Sequence, residues 1–204
     1  MAKRRRQPAG GHARRFEVVV FGASWGGVDA LSRIVHAWPV DAGVAVVIVQ
    51  HQHAYSGNAL QRILARQTSL PVVDVEDKQE MLPGQIHIAP ANYHLLIESD
   101  GCFALSVDAP VNFSRPSIDV TFESLALQFG RRCLGVLLTG ANDDGVEGLR
   151  QIRLHGGHAV AQDPATAEVP TMPQAAIDAA VVDDVVALDD MVPHLMKLLR
   201  DGNS

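Results

Sequence analysis

Cysteine is scarce: Cys102 and Cys133 are the two among 204 residues. Two are too few for a disulfide framework, and neither has the partner spacing of a zinc site. Both are expected to be small core residues in a reducing compartment. Long hydrophobic runs are also missing. Spanning a bilayer takes roughly 18 uncharged apolar residues, whereas the run at 44–49 is strand-sized. The opening MAKRRRQPAGGHARRF is basic but lacks the apolar segment of a secretory signal. A membrane-embedded or exported chain is not expected, and the cytoplasm is the expected location.

Acidic residues are absent before Glu17, where six of the 17 lysines and arginines lie. From Phe16 onward 23 acids face the remaining 11 bases, a net of −12. Such a body will not attract nucleic acid, because a phosphate backbone demands clustered cations. The expected organisation is a basic, disordered arm over residues 1–15 and one folded domain over residues 16–204. A hydrophobic fraction of 47% and a charged fraction of 20% suit that single globular domain.

From Phe16 short apolar runs alternate with helix-length amphipathic segments. FEVVVF (16–21), VAVVIV (44–49), PVVDV (71–75), LGVLLT (134–139) and HAVAQ (158–162) read as buried strands. Helices are expected over 27–38, with Val28, Leu31, Ile34 and Val35 on one stripe, and over 59–65, 118–129, 145–155, 173–180 and 190–199. IHIA (86–89), HLLIE (94–98) and FALSV (103–107) are close-set strands, and Ser99-Asp100-Gly101 signals a hairpin between the last two. The pattern predicts a doubly wound α/β domain: a mostly parallel sheet with helices on both faces and an inserted antiparallel hairpin.

Ligands of such sheets bind beyond the carboxyl ends of the strands. Three loops there carry unusual chemistry: Gly22-Ala23-Ser24-Trp25-Gly26-Gly27, Gln50-His51-Gln52-His53, and Gly140-Ala141-Asn142-Asp143-Asp144-Gly145. Gly22-x-Ser24-x-Gly26 has the strand–turn–helix form of a nucleophile elbow, in which a tight turn projects the hydroxyl and the following helix N-terminus favours a developing oxyanion. The same turn could cradle a phosphate, but the glycine spacing is not GxGxxG. His51 could be a structural histidine, His51-x-His53 half of a metal site without an evident third ligand, and the aspartates a turn and N-cap. Together, a hydroxyl, a base and a carboxylate at one sheet edge form an acyl-transfer constellation. Their order, Ser, His, Asp, differs from that of the α/β-hydrolases.

The segments FGASWGGVDAL (21–31), VQHQH (49–53), LPGQIHIAPANYHL (82–95), RPSIDVTF (115–122), GVLLTGANDDGVEGL (135–149) and AQDPATAEVPTMPQAAI (161–177) resemble, in order, the catalytic domain of the CheB-type protein-glutamate methylesterases. The resemblance implies Ser24 as nucleophile, His51 as general base and Asp144 as the orienting carboxylate. The backbone N–H groups of Trp25 and Ala141 would be the oxyanion donors, and no metal or organic cofactor would be needed. It implies hydrolysis of glutamyl methyl esters on chemoreceptor-type signalling proteins with release of methanol. A glutamine deamidase or other serine hydrolase on the same fold, and a non-catalytic signalling adaptor, stay open as alternatives. Trp25, Gln52-His53 and Ala141-Asn142 depart from the family pattern, and Arg115 and His53 are candidate substrate contacts. With 15 residues before the domain, regulation by a covalently attached receiver is not expected, which leaves a separate response regulator as a candidate partner.

Overall fold

In the computed structural model every residue of β1 (Val18–Ala23) is buried. A strand covered on both faces needs neighbours on both edges and apolar layers above and below it. β1 runs parallel to β2 (Ala45–Gln50) on one side and to β7 (Cys133–Leu137) on the other. Outside β2 lie β4 (Ile86–Ile88) and then β3 (Val72–Asp74). Outside β7 lie β8 (His158–Gln162) and β9 (Asp184–Val186). The sheet order is β3-β4-β2-β1-β7-β8-β9, with every pairing parallel. The structure describes residues 16–201, so the basic arm expected over 1–15 lies outside the described residues.

Side chains of a strand alternate between faces, and β1 uses the alternation to hold two cores. Val19 and Phe21 point into a layer with Leu31 and Ile34 of α1 (Gly27–Ala37), Leu60 and Leu64 of α2 (Ala59–Leu64), and Leu195 of α6 (Met191–Asp201). Val18 and Val20 join Phe122 and Leu125 of α3 (Ile118–Phe129), Leu149 of α4 (Val146–Leu154) and Met172 of α5 (Thr171–Asp178). Val28, expected on the buried stripe of α1, is exposed, while Gly27 and Ala30 are buried there.

The hairpin exists, but not as an addition to the main sheet. β5 (His94–Ile97) and β6 (Phe103–Ser106) form a separate two-stranded antiparallel sheet, whereas the adjacent β4 is a full member of the parallel one. Helix α3 holds the hairpin: Thr121 Oγ1 donates to the Leu95 carbonyl at 3.0 Å, and the Ile97 N–H donates to Ser124 Oγ at 2.7 Å. Strand β9 was not expected at all. Cys133 is buried as expected, but Cys102 is only half-buried beside the hairpin turn.

His87 on β4 is fully buried, with its Nε2 3.2 Å from the Leu82 carbonyl and its Nδ1 unpaired among the described residues. Burial pushes its pKa below the ordinary value, outweighing the bond to Leu82, which acts the other way. The unfolded chain therefore takes up this proton first as pH falls, so stability present above about pH 6.5 is lost on acidification. Replacing His87 with Leu is expected to flatten the fall in unfolding free energy between pH 7 and 5, measured by urea denaturation.

Candidate active site

The sheet order reverses at β1: the chain goes first to β2 on one side and later to β7 on the other. A crevice opens at the carboxyl ends of strands where such a reversal occurs. Ser24 directly follows β1, His51 directly follows β2, and the loop leading to Asp144 follows β7. Backbone bonds bring the three ends together. The Ser24 N–H donates to the Thr139 carbonyl and the His51 N–H to the Ala23 carbonyl, both at 3.0 Å.

The serine turn is built by a buried amide. Gln50 is 5% exposed, and its Nε2 donates to the carbonyls of Ser24 at 2.8 Å and His51 at 3.0 Å, tying the two loops. Gly27 lets that amide in: a Cβ there would lie 2.1 Å from Gln50 Oε1 and 2.7 Å from the Ala23 Cβ. Gly145 is required for a second reason. Its φ of +102° is a conformation that side chains disfavour, and a Cβ would lie 2.4 Å from Leu137 Cδ1.

His51 lies between the other two groups. Its Nδ1 is 3.1 Å from Ser24 Oγ and its Nε2 2.7 Å from Asp144 Oδ2. A carboxylate can only accept, so Nε2 carries the proton and the Nδ1 lone pair faces the hydroxyl. The ring is thus turned relative to the chymotrypsin arrangement, where Nε2 faces the serine.

Asp144 is completely buried and receives five donors. Oδ2 accepts from His51 Nε2 and, at 2.7 Å, from the Ile118 N–H. Oδ1 accepts from Ser117 Oγ at 2.9 Å and from the Asp119 N–H and Asn112 Nδ2, each at 3.1 Å. Burial alone would push this carboxyl up. The imidazole, the two amides at the N-terminus of α3 and the Asn112 carboxamide outweigh it and hold its pKa below the ordinary value. Asp119 returns the arrangement: its Oδ1 accepts from the Gly145 and Gly148 N–H groups at 2.8 and 2.7 Å, capping α4. Burial first, and the neighbouring Asp144 charge second, push Asp119 up to about 6 against those donors. Each aspartate therefore caps the other's helix, and Asn112 Nδ2 bridges the pair.

The backbone N–H groups of Trp25 and Ala141 have no acceptor among the described residues. The Trp25 side chain is 67% exposed, with its indole Nε1 3.2 Å from Glu168 Oε1. Arg115 is spent on the fold: its guanidinium donates to Asn92 Oδ1 and to the carbonyls of Val107 and Asp108. These bonds engage four of its five N–H groups. His53 is exposed on the loop after His51, and its ring makes no hydrogen bond among the described residues. Among the described residues no three His, Cys, Asp or Glu side chains gather as metal ligands, and no helix is long and apolar enough to cross a membrane.

Sequence reasoning gave no role to Gln50, to Asn112 or to Ser114, whose Oγ lies 3.4 Å from His51 Nδ1, and did not foresee the bonds of Ser117 and Asp119 around Asp144. A buried glutamine closing an apolar strand was a legible signal. The others act through turns whose closure no local pattern displays.

A hydroxyl, an imidazole and a buried carboxylate in hydrogen-bonded series at a doubly wound sheet edge have the geometry of a serine-hydrolase site. The chain belongs to the CheB methylesterase family, whose model matches residues 19–195. A Leptospira interrogans relative, provisionally named protein-glutamate methylesterase/protein-glutamine glutaminase, is 44% identical over 90% of this chain and 95% of its own length. Relatives of that name from Anaeromyxobacter dehalogenans and Maricaulis maris are 40% and 37% identical over 97% and 93% of this chain. They are longer proteins, of which the chain covers 58% and 48%. The crystal structure of the Thermotoga maritima CheB methylesterase catalytic domain superimposes with a TM-score of 0.86 at 30% identity, covering 90% of this chain and 98% of that one.

Proposed function

We propose that this chain is a protein-glutamate methylesterase that hydrolyses glutamyl methyl esters on a chemoreceptor-type signalling protein in the cytoplasm, with residues 16–204 as its catalytic domain. One observation carries the assignment of roles: the His51 ring spans Ser24 and Asp144 at 3.1 and 2.7 Å. Ser24 Oγ attacks the ester carbonyl carbon as its proton passes to His51 Nδ1. The imidazolium is stabilised through Nε2–H by the Asp144 carboxylate. The carbonyl oxygen, now an oxyanion, takes hydrogen bonds from the Trp25 and Ala141 N–H groups. Collapse of the tetrahedral species breaks the bond to the methoxy oxygen, which receives the proton from Nδ1 and leaves as methanol. Water then attacks the acyl-serine with His51 again as base, releasing the glutamate carboxylate and restoring Ser24. None of these steps calls on a cofactor.

The relatives' glutaminase name supports a second substrate for the same acyl-enzyme, a protein glutamine side chain whose leaving group is ammonia. Incubating the full chain with a receptor-type protein carrying glutamyl methyl esters is expected to release methanol. The same protein with glutamine at those positions reports ammonia. Absence of methanol from a demonstrably esterified substrate would overturn the assignment.

A further inference from the structure

Between β6 and α3 the chain crosses over the catalytic groups in a two-residue turn. Val111 and Ser114 exchange both backbone hydrogen bonds, at 3.2 and 2.9 Å, and the residues between them, Asn112 and Phe113, have φ values of 49° and 60°. Two successive positive φ angles are the signature of a type I′ turn, whose favoured pair is Asn-Gly. Asparagine tolerates this conformation, but for a phenylalanine it is strained. Strain of this kind persists where surrounding contacts over-determine the backbone, and it clusters at functional sites.

The surrounding contacts here are the catalytic groups themselves. On one side of Phe113, Asn112 Nδ2 is bonded to Asp144 Oδ1 and Asp119 Oδ2. On the other, Ser114 Oγ lies 3.4 Å from His51 Nδ1 and 3.3 Å from the Asn112 carbonyl. The turn is pinned by both its shoulders, yet the ring at its tip is fully exposed, at 104%. Trp25, one residue after Ser24, presents a second exposed aromatic surface, its indole steadied by Glu168. Large apolar side chains held in water beside a reactive centre mark a recognition surface.

We infer that Phe113 is a specificity-determining residue, which receives an apolar side chain of the substrate polypeptide flanking the esterified glutamate. This rests on the methylesterase assignment above and deepens it. Three bonds separate a glutamyl ester carbonyl carbon from its Cα, about 4 Å when extended. The substrate backbone must therefore approach the rim around Ser24, and its neighbouring side chains meet whatever that rim presents. What this rim presents is aromatic.

The test compares two esters: the methylated receptor-type protein, and N-acetyl-glutamate γ-methyl ester, which has no flanking side chains. Phe113→Gly creates the favoured Asn-Gly pair, so its Tm is expected to stay within about 2 °C of wild type or to rise. The ratio of kcat/KM on the protein to that on the small ester is expected to fall at least tenfold, through KM on the protein. Leu154→Ser, an exposed leucine on α4, should leave the ratio unchanged. A Phe113→Gly ratio within twofold of wild type overturns the inference while the methylesterase assignment stands. An equal loss on both esters overturns it too, because the turn would then serve only the geometry of His51 and Asp144. Failure of the wild type to release methanol from the protein removes the assignment and the inference together.

Discussion

Ser24→Ala is expected to lower methanol release from an esterified protein by about 10⁴-fold or more, as removal of a serine nucleophile does in comparable triads. The Ser24 hydroxyl lies 3.1 Å from His51 Nδ1, closer than the Ser114 hydroxyl at 3.4 Å, and it stands on the turn at the end of β1. The fold should not notice. Ser24 is partly exposed, and the interactions that shape its turn run through backbone groups, the N–H to Thr139 and the carbonyl to Gln50. Its Tm should therefore lie within about 2 °C of wild type. Retained turnover in a folded Ser24→Ala protein would remove Ser24 from the chemistry.

Asp144→Asn is expected to fail on both counts. The carboxamide keeps the shape but loses the charge, so the neutral Nε2–H tautomer of His51 is no longer enforced and the imidazolium is no longer stabilised. A loss of about 10³–10⁴-fold in kcat is expected on the precedent of the same change in a serine protease. Stability should fall as well. Five donors converge on the two oxygens, and an asparagine turns one acceptor into a donor aimed at other donors. Leaving buried donors without their charged acceptor costs about 1–3 kcal/mol or more, a Tm drop of about 2–12 °C for a chain of this size. Differential scanning calorimetry and methanol release, run on both variants, separate the roles. If Asp144→Asn keeps wild-type stability, the five-donor cradle is not the anchor described above. Because the Asp144 pKa is depressed in the folded chain, its stabilising contribution is complete at neutral pH and disappears only as pH falls below the ordinary carboxylate range.

Much of this architecture was legible in the residues. The apolar runs at 16–21 and 44–49, each ending in a glycine or a polar loop, became β1 and β2 within two residues, because a doubly buried strand has to be apolar at every position. Ser24, His51 and Asp144 were each visible as polar residues just past such strands. Elements whose identity depends on partners elsewhere were not legible. Asp184–Val186 is three residues with one buried side chain, and only its pairing with β8 makes it a strand. Ile86-His87-Ile88 was legible as a strand close to the hairpin, but its place in the parallel sheet between β2 and β3 was not. The bonds of Arg115 to Asn92 and to the carbonyls of Val107 and Asp108 had no local trace either. Ser117 caps α3 from the position where a serine commonly does, but its bond to Asp144 spans 27 residues and has no local trace.

The anion of Asp144 is balanced by peptide amides, a hydroxyl and a carboxamide, with no lysine or arginine paired to it among the described residues. Mobile ions in solution weaken attractions between exposed full charges, but they do not reach dipoles fixed inside the protein. The orientation of the His51 imidazole is thus insulated from ionic strength. Added salt would act on the exposed charges of this acidic body, and leave the bonds joining Ser24, His51 and Asp144 as they were.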